Sequence, residues 1–332
     1  MDFEIKKIAV LGAGSWGTAL ANHLAGKGYD VSLWMRDSEL SKHILANGIN
    51  NVYLPEVKLS ENLKPTCDLA GALNGTRFVV SSIPSHGIRA VFSKAAPLLA
   101  EEALIVNTAK GIEVDTGLTV SGIFSELGLN NTAILSGPSF AKEVCERLPC
   151  AIVAASENDE AAKRVQSVFN SSIFRVYTSS DVIGVELGGA LKNVMAIASG
   201  IIDGLKLGLN ARAALITRGL AETTRLGARM GAKPDTFYGL SGLGDLVLTC
   251  TGALSRNLQV GRRLGEGKTL TEIMADMKMV AEGVKTSKAV KKLANEFKVE
   301  MPITEEVNNI LYKDKSPKKA VMELMSRELK EE

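Results

Sequence analysis

Six residues near the start of the chain, Gly12, Ala13, Gly14, Ser15, Trp16 and Gly17, have the types and spacing to do chemistry. They follow a β-branched run, Ile5 to Leu11, and open a stretch of small and apolar residues at helical spacing, Ser15 to Gly26. In a GxGxxG turn of this kind Gly12 makes the tight bend, Gly14 lets the backbone approach a pyrophosphate, and Gly17 allows close helix packing. The helix N-terminus then offers N–H groups and the positive end of its dipole to phosphates. GxGxxG recurs by chance, but directly after a strand and at a helix start it points to a dinucleotide, NAD or NADP, and so to hydride transfer.

The usual selector for the adenosine ribose is a carboxylate at the end of the second strand, and here that position falls on Trp34, Met35 and Arg36, with Asp37 just beyond. Arg36 can pair with a 2′-phosphate or stack on adenine, so NADP is expected to be accepted at least as well as NAD. The alternatives are that Arg36 is a solvated loop charge and that Asp37 serves NAD.

Oxidation of an alcohol by such a cofactor needs a proton acceptor, commonly His. The chain has three histidines, His23 and His43 in helix-like stretches and His86 in a loop-like one, and none in its second half. A lysine desolvated among apolar residues can serve instead, its pKa lowered towards neutrality. Lys192 interrupts the small, apolar stretch from Glu186 to Ala196 and fits that description; the bland alternative is a lysine emerging on a solvated helix face. Lys110 closes the run Val106 to Gly111, at the carboxyl end of a strand-like segment, where ligands bind in open α/β sheets. Asp245, in Gly242-Leu243-Gly244-Asp245, can orient a substrate hydroxyl or simply cap a turn. Ser255, Arg256 and Asn257 precede the helical run Leu258 to Leu264, so that Ser255 can cap it while Arg256 and the first N–H groups cradle a phosphate-sized anion.

The elements that must position these residues divide in two. Asp30 to Met35, Arg77 to Ser82, Ala103 to Asn107, Thr132 to Leu135, Cys150 to Ala154 and Phe174 to Tyr177 are short apolar runs separated by helical or loop stretches. They predict an α/β class with a doubly wound, Rossmann-type parallel sheet over residues 1–179. Residues 180–332 predict an all-helical domain. Its longest helix, Val185 to Leu205, carries Gly188, Gly189, Ala190, Ala196, Ala198 and Gly200, small enough for neighbouring helices to come close. Lys318 to Glu332 predicts a charged amphipathic surface helix.

Bulk properties exclude other classes. At 332 residues, 45% hydrophobic and 23% charged, the chain is an ordinary folded protein too long for one core. A net charge of +2, with Lys and Arg spread out, lacks the basic stripe nucleic acid requires. Cys67, Cys145, Cys150 and Cys250 form no CxxC pair and have no His at zinc spacing, so no metal is expected and the thiols read as reduced, buried fillers. Neither a signal-like apolar region near Met1 nor about 18 uninterrupted apolar residues occur, so no membrane span and a cytoplasmic location are expected.

In combination GAGSWGTALA, NTAKGIE, GPSFA, ELGGALKNVMAI, GLGDLVLTC, SRN, VAEGV and SPKKAVMELMSRE, in that order, resemble the bacterial type of NAD(P)-dependent glycerol-3-phosphate dehydrogenase over essentially the whole chain. GxGxxG is common to many dehydrogenases; GALKN followed by GLGDL and SRN is specific to few. The resemblance implies reversible reduction of dihydroxyacetone phosphate to glycerol 3-phosphate, the backbone of phospholipids, without a metal, by a homodimer. It implies Lys192 as general acid/base, with Lys110, Gly137, Ser139, Lys192, Asp245, Ser255, Arg256 and Asn257 on the substrate. Gly12, Gly14, Ser15, Trp16, Gly17, Arg36, Lys110, Ala141, Arg256, Val280 and Glu282 would line the cofactor. It also implies that the Lys192 ammonium, from the second domain, meets the nicotinamide held by the first. A β-hydroxyacid or phosphogluconate-type dehydrogenase and a non-catalytic NAD(P)-sensing protein are the competing readings; SRN and GLGDL oppose the former, both lysines and Asp245 the latter.

Overall fold

A computed structural model describes residues 5–277, 281–329 and 331. The chain forms two compact units, residues 1–109 with 120–182, and 110–119 with 183–332.

The first unit is built on strands β1 (Lys7–Leu11), β2 (Asp30–Trp34), β3 (Ile49–Asn50), β4 (Leu54–Lys58), β5 (Leu63–Thr66), β6 (Phe78–Ser81), β7 (Leu104–Asn107), β8 (Thr132–Ser136), β9 (Cys150–Ala155) and β10 (Phe174–Ser179). Eight of them make one sheet in the order β10-β9-β8-β7-β6-β1-β2-β5, and β3 pairs with β4 in a separate hairpin. From β5 to β8 every pairing is parallel. The chain winds outward from β1 through β2 to β5 and then returns to β6 on the other side of β1. That reversal leaves a crevice at the carboxyl ends of β1 and β6, where a doubly wound sheet receives its ligand. On one face Val10, Leu33, Phe78, Val80 and Val106 pack under helices such as Ser15–Gly26 and Asp159–Phe169, and on the other Ala9, Leu11, Val79 and Ile105 are buried as well.

Two features depart from the expected sheet. β9 runs antiparallel to β8, and β10 follows β9. The link from β8 to β9 holds only the five-residue helix Ala141–Cys145, too little to cross over a sheet face, so the strand turns back instead. β5 (LKPT) is an edge strand whose Pro65 and exposed Lys64 disguise it, since proline is tolerated only where a ladder N–H is not needed.

The second unit is helical. Its axis is the helix Val182–Gly204, in which every residue from Gly184 to Ile202 is buried. By length and composition this helix could cross a bilayer, but its apolar window is wholly enclosed by the protein. Around it lie the helices Gly208–Arg229, Asp245–Thr251, Arg256–Gly265, Glu282–Glu296 and Pro302–Tyr312. The segment 110–119 belongs with this unit: Ile112 joins Leu187, Leu191 and Leu293 in its core, and Lys292 Nζ donates to the Asp115 carbonyl at 2.7 Å. The last helix is Pro317–Met325, with only Ala320 buried, and it stops short of the expected extent to residue 332.

Candidate active site

The glycine turn has the shape its sequence promised. Gly12 adopts φ +110°, a region closed to most L-residues, and a Cβ there would lie 2.7 Å from the Ser82 carbonyl oxygen. A Cβ on Gly17 would lie 1.9 Å from the Gly12 oxygen, so the first helical turn can sit on the bend only because that side chain is missing. Gly14 is different: a Cβ there would meet nothing within 4 Å. It is the N-cap of Ser15–Gly26, and no side chain caps that helix. Ser15 Oγ donates to the Tyr53 carbonyl at 3.1 Å. Trp16 Nε1 is buried without a hydrogen-bond partner, an orphaned donor beside the turn. Space at Gly14, an uncapped helix start and an orphaned donor fit a dinucleotide pyrophosphate.

Arg36 is exposed just past β2. Asp37 is committed to local structure, its Oδ1 accepting from Glu39 and Leu40 N–H, both at 3.0 Å, as cap of the helix Ser38–Asn47. At the end of β8, Gly137 has φ +148°, and a Cβ there would come within 2.8 Å of Ile152 Cα. Ser139 Oγ donates to the Gly137 carbonyl at 3.0 Å, and Ala141 opens the next short helix. His23 is packed, not catalytic in aspect: its ring stacks on Phe174, Nε2 lies 2.7 Å from the Phe169 carbonyl, and burial lowers its pKa. His86 lies in the helix Ser85–Ala95, where a loop was expected.

In the helical unit the two lysines converge on one carboxylate. Lys192 Nζ is hydrogen-bonded to Asp245 Oδ1, and Lys110 Nζ to Oδ2 at 2.6 Å. Asp245 is delivered by a π-helical turn, Leu240–Gly244, that runs straight into Asp245–Thr251, the kind of irregularity often found at functional sites. A Cβ on Gly188 would lie 2.6 Å from the Ser241 carbonyl oxygen, so this turn rests on the central helix one turn before Lys192. Asp245 and Lys192 are buried, and Lys110 is partly so. Desolvation brings the Lys192 pKa down to about 8, with Asp245 opposing and Lys110 reinforcing the shift. Burial alone would raise the Asp245 carboxyl, but Lys110 and Lys192 overcome it and hold that pKa below the usual carboxylate value. The result is an ammonium poised to give up or take a proton near neutral pH beside a carboxylate that stays ionised.

Two residues at this centre carried no assigned role in the sequence reading. Thr249 Oγ1 accepts from Lys192 Nζ at 2.9 Å and donates to the Asp245 carbonyl at 2.6 Å. The signal for it was its i+4 position after Asp245, which puts both on one helix face. Asn193 is the other, visible only as the neighbour of Lys192. Its Nδ2 donates to the Lys110 carbonyl at 3.3 Å, and its Oδ1 accepts from Asn257 Nδ2 at 2.9 Å. Asn257 Oδ1 in turn accepts from Gly283 N–H at 3.0 Å. A chain of amides thus ties Lys110 to the first turn of Arg256–Gly265 and to the start of Glu282–Glu296.

Ser255 is the N-cap of Arg256–Gly265, its Oγ accepting from Leu258 N–H at 3.2 Å, and Arg256 is that helix's first residue. Glu282 is the first residue of Glu282–Glu296, with Ala281 as N-cap. Val280 lies outside the described residues. Among the described residues no cluster of His, Cys, Asp or Glu could hold a metal. Cys250 is buried as expected, Cys145 and Cys150 are partly buried, and Cys67 is exposed, not a buried filler.

The family described as NAD-dependent glycerol-3-phosphate dehydrogenase matches in two parts, its N-terminus over residues 7–162 and its C-terminus over residues 181–322. A protein of Citrifermentans bemidjiense named glycerol-3-phosphate dehydrogenase (NAD(P)+) is 54% identical over 331 residues, covering 98% of this chain and 99% of that protein. One of the same name from Leptospira biflexa is 50% identical over 330 residues, covering 98% and 99%. The crystal structure of glycerol-3-phosphate dehydrogenase from Coxiella burnetii superposes with a TM-score of 0.93 at 43% identity, over 97% of this chain and 99% of that one. D-mandelate dehydrogenase, at 12% identity and a TM-score of 0.63, shares the fold. On the family match and the full-length identity, the chain belongs to the NAD-dependent glycerol-3-phosphate dehydrogenase family.

Proposed function

We propose that the chain reversibly reduces dihydroxyacetone phosphate to sn-glycerol 3-phosphate with NADPH or NADH, supplying the glycerol backbone of phospholipids. The observation that carries this reading is the pairing of buried Lys192 and partly buried Lys110 with the buried Asp245 carboxylate. The cofactor supplies or accepts the hydride at substrate carbon 2. Gly12, Gly14 and Gly17, with Ser15 and Trp16, would hold its pyrophosphate, Arg36 would meet the adenosine end, and Ala141 and Glu282 would line the remainder.

As the ketone is reduced, its oxygen develops alkoxide character, and the Lys192 ammonium neutralises it by donating a proton. In oxidation the neutral amine takes that proton back. Asp245 keeps Lys192 aimed and keeps its pKa from falling further, and Lys110 polarises the same oxygen from the other side of the carboxylate. Arg256, Ser255 and the first N–H groups of Arg256–Gly265 hold the phosphate, with Gly137 and Ser139 beside the substrate. Asn257 Nδ2 spends one hydrogen on Asn193 and has a second for the anion. Anchoring the phosphate fixes carbon 2 for reaction, worth several kcal/mol of barrier, on the order of 7 in favourable cases. The same reading makes the protein a cytoplasmic homodimer, which cell fractionation and sedimentation of the pure protein would check.

The experiment is direct. Purified protein is expected to oxidise NADPH or NADH on addition of dihydroxyacetone phosphate, Lys192→Ala to abolish turnover while sparing cofactor affinity, and Arg256→Ala to raise the substrate KM. Near-native turnover of Lys192→Ala would remove the acid/base assignment; full activity of Arg256→Ala at low substrate would remove the phosphate anchor.

A further inference from the structure

We propose that Gly200 and Gly261 are positioning residues for this reaction: their mutual contact sets the register that brings Arg256 abreast of Lys192. The inference rests on the function proposed above, in particular on Arg256 as the phosphate ligand.

The helices Val182–Gly204 and Arg256–Gly265 touch backbone to backbone. A Cβ on Gly261 would lie 1.9 Å from the Ile197 carbonyl oxygen, and one on Gly200 would lie 2.1 Å from that of Leu258. One turn further on, a Cβ on Gly204 would lie 2.2 Å from the Arg262 oxygen and one on Gly265 would lie 2.6 Å from that of Ile201. Each glycine weakens its own helix relative to alanine, so four at one seam serve the approach itself.

The contacts also fix a register. Ile197 faces Gly261 and Ile201 faces Gly265, while the Asn193–Asn257 hydrogen bond spans the same 64 residues. The two helices therefore run in the same direction at a constant offset, and that offset takes Lys192 to Arg256. The hydrogen bond is an independent sign that the alignment matters, because it links the residue after Lys192 to the residue after Arg256.

Lys192 itself is held from elsewhere, by Asp245 and Thr249 on a different helix. Widening the glycine seam thus displaces the phosphate cradle and leaves the proton chemistry in place. Real Cβ contacts do not fall below 3.0 Å, so a methyl group at position 261 must push the helices apart by about 1 Å. A displacement of that size can cost about a hundredfold in rate when it misplaces a substrate.

The test compares dihydroxyacetone phosphate with dihydroxyacetone, which lacks the phosphate, in wild type, Gly261→Ala and Gly265→Ala. Gly261→Ala is expected to lose about tenfold to a hundredfold in kcat/KM for the phosphorylated substrate, chiefly through KM. The rate with dihydroxyacetone and the pH profile of kcat stay near wild type. Gly265→Ala, milder and farther from Arg256, shifts the ratio of the two substrates in the same direction, and the comparison is read on it should Gly261→Ala not melt cooperatively. A wild type that does not reduce dihydroxyacetone phosphate fails the proposed function and the inference together. A wild type that does, with folded variants that lose rate equally on both substrates or on neither, overturns the inference alone.

Discussion

Lys192 and Asp245, 53 residues apart, form an ion pair inside the helical unit, and Lys110 occupies the second carboxylate oxygen. The arrangement is asymmetric: one carboxylate satisfies two ammonium groups. Burying charges costs several kcal/mol per ion by general estimate, and the mutual attraction repays this only when every partner is present. A centre of this kind is better explained by proton transfer than by stability.

The asymmetry predicts unequal damage. Asp245→Asn leaves two ammonium groups facing each other without a counter-charge and should cost about 3 to 5 kcal/mol. Lys192→Met leaves Asp245 paired with Lys110 and replaces the lysine by an apolar chain of similar length, so it should cost less. Denaturant unfolding of the two variants checks the order; a larger loss for Lys192→Met would show that the pair is not shared as described. Turnover should disappear in Lys192→Met and fall steeply in Asp245→Asn.

The pKa of Lys192, lowered by burial to about 8, sets the pH dependence. Ketone reduction needs the ammonium, so kcat should be level below that pH and fall as pH rises through about 8. Alcohol oxidation needs the free amine and should rise through the same range. The Asp245 charge raises this pKa, so the residual turnover of Asp245→Asn should show both profiles moved to lower pH. Profiles of kcat in the two directions that share no common inflection would separate Lys192 from the proton step.

Cofactor choice offers an independent check. Asp37 already caps a helix with Oδ1, and Arg36 is exposed at the end of β2. A 2′-phosphate would find a cation there and a carboxylate partly occupied. Arg36→Glu should therefore lower kcat/KM for NADPH and spare that for NADH, changing the ratio at least about tenfold, the worth of one charge-assisted hydrogen bond. A ratio unchanged by Arg36→Glu would make this residue the solvated loop charge considered from sequence.

What could be read from the sequence follows from how local each signal is. The strand-turn-helix around Gly12 to Gly17 is contiguous, so its residues announce their geometry in order. Lys192 was visible as a lysine among small apolar residues, and burial was inferable from its neighbours. Its pairing was not, because nothing in the chain says that residue 245 returns to residue 192 on a π-helical turn. Thr249 and Asn193 are common residue types whose roles exist only once helices are packed. Segment 110–119 looks like the tail of β7 in sequence, yet Ile112 and Asp115 belong with the helical unit, since the local run cannot show which core it enters. β5 was hidden by Pro65, and the reversal at β9 by the assumption that every apolar strand in a doubly wound sheet runs parallel.

The glycine turn allows fold and binding to be separated by two substitutions three residues apart. At Gly17 a Cβ would lie 1.9 Å from the Gly12 oxygen and 2.9 Å from Ser82 Cβ, so Gly17→Ala must disturb the turn and lower the melting temperature along with cofactor affinity. At Gly14 nothing lies within 4 Å and φ is −67°, an ordinary value for any residue. Gly14→Ala should therefore leave thermal stability near wild type. The space its methyl group enters is the approach to the uncapped helix start, where the pyrophosphate is proposed to lie. Cofactor affinity, followed by quenching of intrinsic fluorescence or by the KM for NADPH, should fall at least about tenfold, the scale of one lost charge-assisted contact. A Gly14→Ala protein that melts as wild type and binds the dinucleotide undiminished would place the pyrophosphate elsewhere.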